Sequence, residues 1–307
     1  MGLISTLSTL FRAGPGANPV LSHAFDVVAK TVDPEILAVD DYQARLQPAI
    51  EYALGFYERT VAAVPGPLVI SGANHASDPV LATLFATADE VAQCLGRSLA
   101  VRSSIRWFVD QGREEVHAVM GMRLRPAKTG NDGAGFADHT IRSLGSSEVD
   151  SRECLREAAF SSLVKSFDAR MKDKRREWRL MRTEGKIRQE LRSRHGAEKG
   201  ESAPHHDNRD DIFDQYAATA GQDFTPAKAL DALVEWLETP EQQLRIDSDE
   251  GHPRVGDNTA NGRGQLSMPL LATADRRKWL VCMVCFPLQE ALAAIGQESQ
   301  PHRYILI

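Results

Sequence analysis

Residues 150–194, DSRECLREAAFSSLVKSFDARMKDKRREWRLMRTEGKIRQELRSR, decide how this chain is organised. The stretch has no proline and a single glycine, Gly185, so nothing in it forces a helix to stop. Asp150 with Glu153 three residues on resembles a capping box. Leu155, Ala159, Leu163, Phe167 and Met171 recur at every fourth position. Phe160, Val164, Phe167, Met171, Trp178 and Met181 trace a heptad-like, coiled-coil seam that Lys174 interrupts. One helix of this length would reach ~68 Å at 1.5 Å per residue. It must therefore extend beyond a domain, pack along another helix, or break near Gly185.

The same stretch concentrates positive charge. From Arg170 to Arg194 eleven Lys and Arg accompany four acids, a local balance of +7 in a chain of net charge -6, so the remainder carries -13. Arg175, Arg176, Arg179 and Arg182 are the densest part of the run. Such a segment can meet phosphates, an anionic membrane or an acidic protein. Trp178 adds a flat ring able to stack on a base. The plainer account is a solvated helix whose charges keep it soluble, and the charges wrap several faces instead of forming one stripe.

Outward from this helix, the 307 residues are 42% hydrophobic and 25% charged, ordinary for a globular chain able to bury a core. The acidic balance argues against a general nucleic-acid-binding protein. Residues 1–146 read as an N-terminal α+β domain. Asn18-Pro19 opens one helix, a second spans about Gln43 to Ala63, and Val64-Pro65-Gly66-Pro67 ends it. Leu68-Val69-Ile70 is a short strand, and Asp78-Pro79 starts another helix. Residues 99–110 suit either helix or strand. Glu115 to Arg125 alternates as a half-buried strand, and Phe136 to Leu144 returns antiparallel after a turn. Residues 195–211 are polar and read as a flexible linker. Residues 212–307 read as a C-terminal α+β domain, with a helix after Thr225-Pro226, strands at 243–247, 266–271 and 276–286, a helix near 288–295, and a terminal strand at 302–307. The expected class is α+β: two small mixed α/β units with antiparallel sheets, joined by the long basic helix.

The four cysteines are too few for a disulfide framework. No apolar run approaches the ~20 residues that span a bilayer, and Met1 onward lacks the pattern of a secretory signal. A reducing, cytoplasmic setting follows. Leu3, Ile4, Leu7, Leu10 and Phe11 share a helical face; packing on the chain's own domain explains them more simply than peripheral membrane contact by residues 1–11.

Asn74-His75-Ala76-Ser77-Asp78-Pro79 follows the first strand. It resembles a degraded glycerolipid acyltransferase signature, in which an Asn-His pair precedes an aspartate that orients the catalytic histidine. That resemblance implies His75 as base and Asp78 as its orienter. The family separates the two by four residues, whereas two separate them here, and no Phe-Pro-Glu-Gly block follows. Asp78 as a helix cap, with His75 in the loop before it, accounts for the same residues. Cys282 and Cys285 have the CxxC spacing, but their flanks read as a strand apolar on both faces, where positions three apart point to opposite sides. They are expected to be core residues. His205-His206-Asp207 and Asp210-Asp211 fall in the expected linker, and Asp247, Asp249, Asp257 and Asn258 lack EF-hand spacing. His117 and His139 are expected on opposite faces of a hairpin, too far apart to share a site.

No phosphate loop, dinucleotide fingerprint or nucleophile elbow occurs, and neither cofactor nor metal is expected. The leading expectation is a binding or scaffold protein that uses the 150–194 helix, with Phe167, Met171 and Trp178, for protein contact or self-association. Nucleic-acid binding through Arg175, Arg176, Arg179 and Arg182 is the alternative, and an enzyme acting at His75 the third.

Overall fold

Apolar side chains occupy consecutive positions from Leu280 to Phe286, so this segment must bury both of its faces. It forms β8 (Lys278–Pro287), the strand around which the sheet is assembled. The computed structural model describes residues 18–125, 135–199, 225–247, 254–255, 266–273 and 278–298, and its class is α+β.

Ahead of the sheet, local caps set the helices. Asn18 accepts from the Val20 amide at 3.0 Å and opens α1 (Pro19–Thr31). Asp33 does the same for the Glu35 amide at 3.0 Å and opens the single turn α2 (Pro34–Leu37). Next come α3 (Tyr42–Ala62), strand β1 (Leu68–Val69), α4 (Pro79–Leu84) and α5 (Ala88–Arg97). Residues 99–110, ambiguous by composition, form α6 (Leu99–Asp110). Ser98 caps it by accepting from the Val101 amide at 3.3 Å. Val101, Ile105 and Phe108 are its buried face, while Trp107 and Val109 remain exposed.

The hairpin expected from alternation is present as β2 (Glu115–Arg125) and β3 (Gly135–Gly145), paired antiparallel. Their register slips twice, between His117 and Val119 and between Gly121 and Arg123. Asp138 (φ 57°) and Ser143 (φ 53°) sit on β3 at these two slips. Left-handed backbone at a bulge absorbs an extra residue and twists the strand.

Downstream are α7 (Glu148–Lys199), α8 (Pro226–Leu237), a 3-10 turn, β4 (Leu244–Asp247), β5 (Arg254–Val255), β6 (Leu266–Ser267), β7 (Leu270–Thr273), β8 and α9 (Leu288–Glu298). One sheet runs β3-β2-β8-β7-β4, with β1 joining β8 in parallel; β5 and β6 form a separate pair. β2 lines one edge of β8 from Met122↔Leu280 to Glu115↔Pro287. On the opposite edge, β7 pairs near Leu280 and β1 pairs at Val284 and Cys285. Leu280, Cys282, Val284 and Phe286 face a core shared with Val116, Ala118, Met120, Met122 and residues of α4, α5, α6 and α9. Val281 and Met283 face the other way, with Val64, Val119 and Leu155 of α7.

Contacts divide the chain into two compact units, Met1–Ala53 with Ser161–Thr239, and Leu54–Phe160 with Pro240–Ile307. Every described strand belongs to the second, and the described elements of the first are helices. The expected pair of α+β units, one at each end of the chain, is therefore corrected. A strand with two apolar faces and two open edges takes neighbours wherever it finds them, and the long β2 lies before the long helix in sequence.

The long helix itself is present and longer than 150–194. Its cap is Ser147, whose hydroxyl accepts from the Asp150 amide at 3.1 Å, so Asp150 is inside the first turn. It does not break at Gly185, and it takes in the first residues of the expected 195–211 linker, whose remainder lies outside the described residues. Residues 1–11, the His205 cluster, the acids Asp249 and Asp257, and the 302–307 strand also lie outside the described residues.

Gly66 has φ 120°, and a Cβ there would collide with the Met283 carbonyl oxygen. Pro65 beside it accepts from the Met283 amide at 2.7 Å. Gly66→Ala is therefore expected to destabilise the sheet unit by about 3 kcal/mol or more, read as a lower urea midpoint at unchanged slope.

Candidate functional site

The basic helix α7 changes character along its length. Phe160, Leu163, Val164, Phe167 and Met171 are buried. Within the helical unit the Phe167 ring lies 6.2 Å from that of Trp236 on α8, whose Nε1 donates to the Leu163 carbonyl at 3.0 Å. Arg170 lies over the same indole at 5.1 Å. Phe167 and Met171, expected as a seam for self-association, are thus corrected to core residues. The fourfold repeat that made them look like a docking stripe is filled by the chain's own helix.

Arg175 is likewise engaged. Its guanidinium pairs with Asp33, the cap of α2. The Glu35 amide and that guanidinium hold the Asp33 carboxyl below its ordinary value. Arg182 stands over the Trp178 ring at 5.2 Å. Beyond Met171 no side chain from Lys172 to Ile187 is buried. Arg176, Arg179 and Arg182 are exposed, as are the apolar Leu180 (57%), Met181 (38%) and Ile187 (52%).

The acyltransferase-like loop has a structural use. Asp78 Oδ1 accepts from the amides of Val80 at 2.8 Å and Leu81 at 3.1 Å, which is the work of a helix cap. His75 Nε2 meets the Phe85 carbonyl at 2.8 Å. Ser71 bonds to Glu290 of α9, and Glu290 also accepts from the Gly72 amide at 2.9 Å. Backbone groups occupy both members of the proposed dyad, so the base-orienter pair His75–Asp78 does not form. With two residues between His75 and Asp78 and Pro79 next in line, the segment suits a capped turn.

A cavity of about 650 Å³ lies between α5, α6 and strand β3. Glu90, Arg97, Ser98, Ser103, Asp138, His139 and Arg142 give it a lining of both charges. His139 stacks on Phe85, centroids 4.4 Å apart, and its Nε2 meets the Leu84 carbonyl at 3.0 Å. Burial lowers its pKa, partly opposed by that bond and by Glu90 and Asp138. His117 is elsewhere, opposite Cys285 across β2 and β8, so the two histidines do not share a site. Burial pushes the Cys94 and Cys282 thiols up to about 12 and raises Cys154 as well, so none of these is an activated nucleophile.

Among the described residues no helix is long and apolar enough to cross a membrane. No protein-family model matches the chain, and no curated protein or solved structure matches it.

Two outcomes follow. Phe167→Ala should cost about 3–5 kcal/mol in chemical denaturation while the mass in solution stays the same, whereas a self-association seam would dissociate. Because the folded pKa of His139 is depressed, the unfolded chain binds its proton first. Stability contributed by neutral His139 is therefore complete above about 6.5, its ordinary value, and falls as the pH drops below it. His139→Phe should flatten that part of the stability–pH curve.

Proposed function

We propose that this is a binding protein, and that residues 172–187 of α7 dock on an acidic protein surface. The observation carrying this reading is that no side chain in this basic segment is buried although Leu180, Met181 and Ile187 are apolar. Arginines supply long-range attraction and orientation, and aliphatic side chains supply area to remove from water at roughly 25 cal/mol per Å². The mixture fits a protein surface better than a phosphate backbone, which takes charge but offers little to leucine and isoleucine. Pairing this segment with its own copy would set one stretch of net charge +4 (seven bases, three acids) against another, so a partner of opposite charge is favoured over self-association. Of the arginines first singled out, Arg176, Arg179 and Arg182 remain for the contact, and Arg175 is held by Asp33. All four cysteines are unpaired thiols, which fits a reducing, cytoplasmic setting.

A photo-crosslinking side chain at Leu180 or Ile187, in the full chain and in extract of its own host, tests the contact. The expected adduct is one discrete protein, untouched by nuclease and abolished by reversing Arg176, Arg179 and Arg182 to glutamate. Adducts that nuclease removes would establish the nucleic-acid reading in its place. Adducts at twice the chain mass would restore self-association. Adducts indifferent to charge reversal, or none at all, would end the docking proposal.

A further inference from the structure

Strands β2 and β8 put three metal-ligand side chains on one face of the sheet. His117 and Cys285 are direct cross-strand partners. Glu115 lies two residues along β2, on the same side as His117, because strand side chains alternate with a period of two. The ligand atoms of all three lie within 4.8 Å of one another. The Cys285 thiol donates to Glu115 Oε2 at 3.3 Å. Bonds of about 2.3 Å to sulfur and about 2.05 Å to oxygen, at a tetrahedral angle, set two ligand atoms about 3.5 Å apart. That pair needs little movement to share an ion.

A second observation is independent of the clustering. His117 Nδ1 is buried and has no hydrogen-bond partner among the described protein atoms. Buried polar groups nearly always have a partner, and exceptions mark strain, chemistry, or a bound water or ion; beside a thiol and a carboxylate, an ion is the reading to test. The surroundings suit an ion: Cys285 is 4% exposed, His117 is half-buried, and Glu115 is exposed and opens a route from solvent. The backbone around the three is fixed. Cys285 O accepts from the Ile70 amide at 2.8 Å, and the Leu288 amide donates to Glu114 O at 2.8 Å. Sites built on paired strands hold ligand spacing better than sites on loops.

The geometry points to a new site: Glu115, His117 and Cys285 bind a divalent transition-metal ion of the zinc type. Thiolate with imidazole selects such ions over calcium and magnesium, which take oxygen ligands. On binding, the S–H bond of Cys285 breaks, a sulfur–metal bond forms, and the proton leaves to solvent; no electrons are exchanged. Three protein ligands leave the fourth corner of a tetrahedron for water or a small anionic group. This site is independent of the docking proposed for α7.

The full chain, stripped with chelator and dialysed, is titrated with cobalt(II) as a spectroscopic probe and then with zinc. A thiolate-to-cobalt charge-transfer band with the strong visible bands of tetrahedral cobalt is expected, saturating at equimolar metal and bleached by zinc. Zinc should also raise the melting temperature. Cys285→Ser should abolish the charge-transfer band, and His117→Gln should weaken zinc binding by roughly 100-fold or more in competition with a chromophoric chelator. Cys154→Ser, at an exposed cysteine, should change neither. Absence of a sulfur band in the folded protein overturns the site. So does a band that survives Cys285→Ser or disappears with Cys154→Ser. Circular dichroism checks that each variant is folded. If Cys285→Ser is not, Glu115→Gln and His117→Gln carry the test, and unchanged zinc affinity in both overturns the proposal.

Discussion

Strand β8 is the constraint on which the sheet unit rests. Its side chains alternate between two apolar environments, and its backbone must find partners on both edges. A buried ladder leaves no water to satisfy an unpaired amide or carbonyl. β2 therefore covers one edge along most of its length, while β7 and β1 divide the other between them. That division draws residues 68–69 and 270–273 to the same side of one strand although the long helix and much more lie between them in sequence. α7 begins where β3 ends, at Ser147, and its Leu155 reaches the smaller apolar face. Arg152 fastens this start by donating to the carbonyls of Val61 at 2.6 Å and Val64 at 2.9 Å, and it pairs with Glu148.

α7 shows how one periodic pattern can serve two purposes. From Phe160 to Met171 its seam positions are covered by the chain itself, with Trp236 supplying ring contact, a hydrogen bond and a surface for Arg170. After Met171 the same spacing continues through Trp178 and Met181 without burial. Charge density rises where the covering ends. A helix segment in water needs charge to stay soluble, and the same charges give an acidic partner something to meet.

Much of the secondary structure was legible because it is written locally. Asn18-Pro19, Asp78-Pro79 and Thr225-Pro226 each open a helix by capping it, and the alternation from Glu115 identified its strand. Residues 99–110 resisted reading because Val101, Ile105, Trp107 and Val109 satisfy two periods equally, and burial alone separates them. The role of His75 could not be read from Asn-His-Ala-Ser-Asp, since a catalytic aspartate and a capping aspartate differ only in what they face. The two-face argument for Cys282 and Cys285 did carry through: Cys282 joins the larger core, and Cys285 meets Glu115 and His117 on the other side. The grouping of those three was invisible because His117 and Cys285 lie 168 positions apart in the chain.

The sequence by itself determined the α+β class, a long helix over residues 150–194, the hairpin of β2 and β3, and the concentration of charge between Arg170 and Arg194; that the helix starts after Ser147 and runs unbroken past Gly185 came from the structure. The features legible in the sequence arise from caps, periodicities and composition, which act over a few residues and need no distant neighbour. Only the tertiary structure decided that strands from both ends of the chain share one sheet, that Phe167 and Met171 are covered, that Arg175 belongs to Asp33, and that Glu115, His117 and Cys285 meet. Those outcomes depend on which surfaces exclude water from one another. That is a property of pairs of segments far apart in the chain, and neither member of a pair carries it alone.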